Sequence, residues 1–303
     1  MALSFPRRNF LRSALWAGAG LAAEGGPRLR AGEPGKEAAS ATAVSVKTLG
    51  TGAADHDWKR LGTPGVRGSA STLLDGHVLI DCGTTGCANL VRFNIDPRAL
   101  TDLVITHSHG DHFSLAEIRS VLDRRGSDFT PMGIWASPET VAALAQAFPG
   151  RFTGHALVSG TVFEIGRLRL TALPANHWLS NPAEQSLHFL VETPRGNLLY
   201  ALDGAWMLKP ARQLIGKRRL DMIIWDATMS KPGDYRIFEH NDLAMIGLMM
   251  QSLETTGAVD AKTVCVLDHM ARTLWPEDLR QAEALASERG WILAADGMDL
   301  ELR

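Results

Sequence analysis

The stretch Thr106-His107-Ser108-His109-Gly110-Asp111-His112 constrains this chain more than any other, because three imidazoles and a carboxylate crowd together directly after a buried-strand pattern. Asp102-Leu103-Val104-Ile105 is a short, partly β-branched apolar run of the kind that fills a parallel strand covered on both faces, so the histidines begin where the strand stops. Side chains at a strand end are rigidly held. Neutral imidazole and carboxylate are donors that suit Zn²⁺, Mn²⁺ or Fe, and the spacing H-x-H-x-D-H lets alternate side chains turn toward two neighbouring ions, since one ion could not use all four well.

Four later apolar runs stop in the same way. Leu170 to Ala175 runs to His177, Leu198 to Leu202 to Asp203, Met222 to Trp225 to Asp226, and Val264 to Leu267 to Asp268-His269. This regularity predicts a metal cage assembled from strand termini. Between these runs, Val44 to Leu49 reads as a first strand entering Gly50-Thr51-Gly52. Ser69 to Leu74 and His77 to Asp81, joined at Asp75-Gly76, read as a hairpin with a type I′ turn. Ser114 and Glu117 form a capping-box pattern at the start of a helix whose apolar face is Leu115, Ile118, Val121 and Leu122. Gly133 to Ala136 is a short strand, Pro138 to Phe148 a helix, and a second half of the fold is expected to begin near Val162. Arg167 to Leu173 alternates, which predicts a strand with one wet side. Leu243 to Leu253 is a helix apolar nearly all round, hence buried, with Asn241 or Asp242 as its N-cap and His240 just outside, placed to face an anion.

The H-x-H-x-D-H motif after an apolar strand resembles the signature of the metallo-β-lactamase superfamily, and the resemblance implies an α/β fold, a four-layer αβ/βα sandwich over residues 43–303, with two divalent metal ions at one edge of the paired sheets. Carried over residue by residue, it implies that His107, His109 and His177 hold one ion and Asp111, His112 and His269 the second, with Asp203 bridging them; zinc is the expected metal, with Mn or Fe as alternatives. Asp81, in Asp81-Cys82-Gly83, would orient His107 or a neighbouring ligand. His240-Asn241-Asp242, the closing Leu267 to Thr273 and Asp296-Gly297-Met298 resemble the phosphodiesterase branch, typified by the cyclic phosphodiesterase accessory to carbon-phosphorus lyase. That enzyme's Cys-rich insert has no counterpart, because Asp55 to Arg67 contains no Cys, so its narrow substrate does not carry over. The implied activity is dinuclear hydrolysis of a phosphodiester by a bridging hydroxide, with Asp111 and His240 as the catalytic candidates and His240 as the proton donor. Two divalent ions, two carboxylates and a hydroxide leave about one positive charge, which favours a small anionic substrate. The alternatives are hydrolysis of a lactone, thioester or β-lactam, or a non-catalytic ligand-binding member.

Composition sets the remaining bounds. A chain of 303 residues, 45% apolar and 21% charged, has material for a large core, and its net charge of −2 argues against a nucleic-acid partner held by phosphate neutralisation. Lys217-Arg218-Arg219, the densest basic run, reads as a solvated helix end. Residues 1–42 differ in character: Pro6-Arg7-Arg8-Asn9-Phe10-Leu11-Arg12, then small and apolar residues from Ser13 to Ala23, resemble a twin-arginine export signal, too short to span a bilayer. The resemblance implies delivery by the twin-arginine machinery to the periplasm; a cytoplasmic protein with an extended leader is the alternative. Cys82, Cys87 and Cys265 read as small buried apolar residues, with local pairing of Cys82 and Cys87 the other reading. His56 reads as a surface loop residue with a metal or substrate role as the alternative. Asp226 reads equally as a partner of a ligating histidine or a capped strand end, His155 and His188 as residues without chemistry, and Trp178 and Trp206 either as pocket walls or as core aromatics. Nothing in the sequence speaks to oligomeric state.

Overall fold

A computed structural model describes residues 43–126 and 130–302. Residues 1–42, where the sequence resembles a twin-arginine signal, lie outside the described residues. Fourteen strands form two sheets of seven. The first holds β1 (Val44–Gly50), β2 (Ser71–Leu74), β3 (Val78–Ile80), β4 (Asp102–Val104), β5 (Met132–Ala136) and β6 (Phe152–Ala156). The second holds β7 (Val162–Ile165), β8 (Leu168–Pro174), β9 (Leu187–Thr193), β10 (Gly196–Ala201), β11 (Met222–Asp226), β12 (Val264–Asp268) and β13 (Ile292–Leu293). The last strand, β14 (Met298–Leu302), returns to the first sheet and pairs antiparallel with β1.

Period-two alternation explains the layers. In the first sheet Val78, Ile80 and Val104 point inward to meet Leu170, Phe189, Ile224 and Val266 of the second. The alternate residues Leu79, Leu103 and Ile134 point outward, under α1 (Gly86–Arg92), α2 (Leu115–Arg125) and α3 (Pro138–Ala147). On the far side Leu190, Ile223, Trp225 and Leu267 meet α4 (Lys209–Ile215), α5 (Leu243–Thr255) and α6 (Leu279–Ser287). Each such side chain contributes about 1.5–3 kcal/mol on burial. The result is the αβ/βα sandwich of the metallo-β-lactamase fold. The run β3-β4-β5-β6 is parallel, as is β10-β11-β12-β13, so the carboxyl ends of several strands collect at one edge, where open α/β sheets place their ligands.

Several local expectations hold. The β2–β3 turn has Asp75 and Gly76 both at positive φ, 50° and 72°, as a type I′ turn requires, and Asp242 caps α5 by accepting from the amides of Ala244 and Met245. All three cysteines are buried and unpaired by disulfide.

Others need correction. Ser114 caps α2 by accepting from Glu117 N, but the Glu117 carboxylate does not return the bond; it accepts from Cys87 N at 2.9 Å and Ala88 N at 3.3 Å, capping α1 instead. Leu115 does not join the apolar face of α2 and is exposed. β8 has no wet side over most of its length, because α4 covers the face that alternation assigned to solvent and buries Thr171 and Leu173. α5 is not buried all round: Leu248 faces out. β6, β9, β13 and β14 went unread, and so did α1 and α6, whereas the helix end read at Lys217-Arg218-Arg219 corresponds to α4, which stops at Ile215.

Candidate metal centre

The seven side chains expected to bind metal converge at the carboxyl edge of the sheets. Ligand atoms of His107, His109, His177 and Asp203 all lie within 4.8 Å of one another, and so do those of Asp111, His112, Asp203 and His269. The two clusters share Asp203. Its Oδ2 lies 3.3 Å from His107 Nε2, 3.3 Å from His112 Nε2 and 3.4 Å from His177 Nε2, while its Oδ1 lies 2.8 Å from His269 Nε2. Nitrogen faces nitrogen within the clusters, at 2.9 Å between His177 Nε2 and His109 Nδ1 and 3.2 Å between His112 Nε2 and His269 Nε2. His107 Nε2 is buried with no hydrogen-bond partner. Imidazole lone pairs converging on carboxylate oxygens, away from water, form a donor set that fits a divalent cation.

The outward nitrogens fix this orientation. His112 Nδ1 meets Asp81 Oδ2 at 2.8 Å, His107 Nδ1 meets Thr106 Oγ1 at 2.9 Å, His269 Nδ1 meets Thr228 Oγ1 at 2.9 Å, and His177 Nδ1 meets the Glu239 carbonyl at 3.3 Å. Each contact leaves Nε2 to face the cluster. Asp81 therefore orients His112 directly, and through Thr106, whose amide and hydroxyl donate to its Oδ1, it reaches His107 as well. The backbone is bent to the same end: Asp81, Asp203 and His269 have φ of 62°, 53° and 59°, a region that non-glycine residues occupy at a cost of about 1–3 kcal/mol where the surroundings demand it.

Electrostatics divides the ligands. Burial holds His107 well below the ordinary imidazole range and lowers His177. For His112 and His269 burial again opposes the charge, but Asp203 and Asp111 beside them overcome it, raising His112 well above its usual value and His269 up to about 10. Burial likewise opposes ionisation of Asp203, yet the neighbouring His112 and His269 keep its carboxyl well below the usual range. Protons on His112 and His269 thus balance buried carboxylates that a bound cation would balance instead.

Asp226 and His240 stand beside the clusters. Asp226 Oδ2 lies 2.7 Å from His240 Nδ1, and the carboxylate also accepts from Gly204 N and Thr228 N. Burial disfavours the His240 imidazolium, but Asp226 outweighs it and raises the pKa. The His240 ring sits 5.0 Å from that of His177 and 5.5 Å from that of His269. Of the two sequence readings of Asp226, the capped strand end is met by its bond from Thr228 N, while the histidine it partners, His240, is not one of the seven expected ligands.

Other side chains were misread or missed. His56 is buried, bonded to the Met270 carbonyl at 3.1 Å and to Arg67 N at 3.3 Å, so it braces the loop after His269 and is not a surface residue. His188, read as inert, lies under the shared carboxylate, with Nε2 3.3 Å from the Asp203 carbonyl, and burial lowers its pKa to about 4. His155 stacks on Trp135 far from the ligands in the sheet, as its plain reading implied. Trp178 and Trp206 are exposed, which removes the core reading for both. Asn241 holds the Asp203 loop by donating to the Gly204 carbonyl and accepting from Trp206 N. Glu184 joins Ser108, between two ligands, to Ser137 and Thr140 at the start of α3. Glu184 carried no local sequence signal, and Asn241, offered as an N-cap, proves instead to tie the Asp203 loop.

Known proteins share these features. Over matched stretches the chain is 32% identical to ribonuclease Z of Bacillus velezensis, across 33% of this chain and 34% of that protein. It is 29% identical to ribonuclease Z of Lactiplantibacillus plantarum, across 44% and 45%. The chain thus spans less than half the length of these curated relatives. Among solved structures it resembles a diphosphatase from the PhnP family, with a TM-score of 0.64 and 20% identity over 86% of this chain and 97% of that one. It also resembles Zn(2+)-bound PqqB from Methylobacterium extorquens, with a TM-score of 0.63 and 16% identity over 85% and 100%. These likenesses speak to the fold, and the fold implies divalent metal ions. The profile of the beta-lactamase superfamily domain matches residues 77–270, from the strand before the Asp81 turn to the residue after His269, and on that match the chain belongs to the metallo-β-lactamase superfamily.

Proposed function

We propose that this protein is a dinuclear metal-dependent hydrolase of phosphodiesters. The observation that carries this reading is the His240–Asp226 pair beside the shared Asp203, an imidazole held to a carboxylate at 2.7 Å. It belongs to neither of the two four-residue clusters above, although the ligand atoms of Asp226 and His240 also group with those of Asp203 and His269. His107, His109 and His177 would hold one ion, Asp111, His112 and His269 the other, with Asp203 between them. Ions bound there would lower the pKa of a water and polarise phosphoryl oxygens.

The chain's own residues account for the remaining steps. Asp226 fixes the His240 ring through Nδ1 and favours its charged form, so His240 can give a proton from Nε2 to the alkoxide leaving phosphorus. Asp111 is held strongly ionised by the histidines around it, although burial opposes this, and serves the site as a carboxylate and not as an acid. The ribonuclease Z relatives support phosphodiester chemistry.

A panel of aryl phosphodiesters, lactones and nitrocefin, assayed with zinc, manganese or iron, tests the reading. Turnover of the diesters well above the others is expected. Turnover confined to lactones or nitrocefin would overturn it, and metal binding without any turnover would favour a ligand-binding protein. We also propose that the protein is exported through the twin-arginine route and works in the periplasm, a reading that rests on Arg7-Arg8 and the apolar run after them. Among the described residues no helix is long and apolar enough to cross a membrane.

A further inference from the structure

Among the described residues, the aromatic side chains left open to solvent are Trp178, Trp206, Tyr235 and Phe238, at 64%, 44%, 74% and 77% exposure. None lies far along the chain from the metal centre. Trp178 follows His177, Trp206 comes shortly after Asp203, and Tyr235 and Phe238 lead into His240. Leaving such a ring in water forgoes about 1.5–3 kcal/mol of burial, so a set of them confined to one region marks a surface that is covered during function.

The loops that carry these rings are stitched to one another. The Glu239 carbonyl meets His177 Nδ1, Asn241 accepts from Trp206 N and donates to the Gly204 carbonyl, and Ala205 N donates to the Asn176 carbonyl. The aromatic residues therefore belong to one continuous rim on the His177–His240 side of the centre. Tyr235 and Phe238 begin and end a single 3-10 turn, in which residues three apart eclipse, so both rings share one face.

His240 sets what that rim meets. A proton donor stands next to the departing group, and Phe238, two residues before His240, and Trp206, whose backbone is tied to Asn241, one residue after it, are the exposed rings that the chain and this bond bring to the same loops as His240. We propose that the rim is a subsite for the leaving group and that the substrate is a phosphodiester whose leaving alcohol or phenol carries a flat apolar, aromatic body. This rests on the phosphodiesterase reading above. The phosphate stays at the charged centre while the ring lies against tryptophan and phenylalanine faces. In the hydrolysis the bond from phosphorus to the aromatic alcohol's oxygen breaks, the oxygen of a water forms the new P–O bond and that water gives up a proton to solvent, and His240 supplies the proton that the departing oxygen takes and is reprotonated from solvent.

The test compares methyl phenyl phosphate with methyl 2-naphthyl phosphate, whose leaving groups are similar in acidity and differ mainly in apolar area. The metal-loaded protein is expected to favour the naphthyl ester by about tenfold in kcat/KM. The preference should fall to near unity in Trp206→Ala and Phe238→Ala. By a readout independent of turnover, 2-naphthyl phosphate should bind about tenfold more tightly than phenyl phosphate in calorimetry, and both variants should lose that difference with metal content unchanged. Equal kcat/KM on both diesters in the wild type would overturn the subsite while leaving the phosphodiesterase reading intact. Turnover of neither diester alongside turnover of a lactone would overturn both. A shift of the variants from dimer to monomer in light scattering, with the naphthyl preference intact, would assign the rim to a second copy of this chain and refute the proposal.

Discussion

His240 Nδ1 lies 2.7 Å from Asp226 Oδ2, and this one contact separates the role of His240 from that of the other histidines around the shared carboxylate. The outward nitrogens of His107, His177 and His269 rest on a neutral hydroxyl or carbonyl, and the Asp81 carboxylate behind His112 is itself bound by Thr106. A proton donor should accordingly be separable from the ligands by substitution. His240→Ala is expected to keep its metal and to lose about 10²–10⁴-fold in kcat/KM on an alkyl phosphodiester, whose alkoxide needs a proton. A nitrophenyl ester needs little protonation and should lose much less. Equal losses on both esters would assign His240 to phosphate binding, and loss of metal would make it a ligand.

The sign of the pH dependence follows from the same pair. Asp226 raises the His240 pKa above the ordinary value near 6.5, so the protonated donor persists to higher pH than a free imidazole would. kcat/KM on an alkyl diester should hold through neutrality and fall on the basic side, as pH passes the raised pKa. In His240→Ala that basic limb should vanish. A basic limb that survives unchanged in the variant would belong to another group.

Asp203 bears on both clusters, so its removal cannot be local. Asp203→Ala is expected to lower metal content at both sites and to abolish hydrolysis, because one carboxylate spaces and neutralises two cations. Elemental analysis after dialysis is the measurement. Two ions per chain retained in the variant would refute a bridging role.

Asp81 is not itself an expected ligand, yet it should govern affinity. Asp81→Asn keeps the volume but replaces the carboxylate that faces His112 Nδ1, and a loss of about 10–100-fold in metal affinity is expected from chelator competition. Unchanged affinity would mean that Thr106 alone suffices to orient the ligands.

Export is tested at the leader. Replacing Arg7 and Arg8 by Lys should leave the activity of purified protein intact and keep it, uncleaved, in the cytoplasm. Fractionation that finds the variant outside the cytoplasm as before would remove the twin-arginine reading.

What could be read from the chain was whatever a strand writes locally. Buried parallel strands leave short apolar runs, and the side chain at the end of each run lands at the sheet edge, so His177, Asp203, Asp226 and His269 stood out before any tertiary contact was known. Side chains whose partners lie far along the chain left no such trace. Glu117 looked like half of a capping box, but the amides it caps belong to α1, some 30 residues earlier. His56 looked like a surface residue, although its partner Met270 is 214 positions away. Thr228 has unremarkable neighbours and acquires its role only because β11 and β12 meet. The β8 face misread as wet shows the same limit, since periodicity can tell one face of a strand from the other but not whether α4 will cover it.

The division of the ligands between the sheets also has a consequence in time. Four of them, His107 to His112, follow β4 in the first sheet, while His269 arrives on β12, 157 residues after His112. At about 5–20 residues per second, a growing chain displays the early histidines for roughly ten to thirty seconds before their last partner is made. Through that interval the motif is an open chelator, held by half a cage. On the proposed metal-binding reading, cells grown in different metals are expected to yield one sequence with different occupants, which elemental analysis of the purified protein checks.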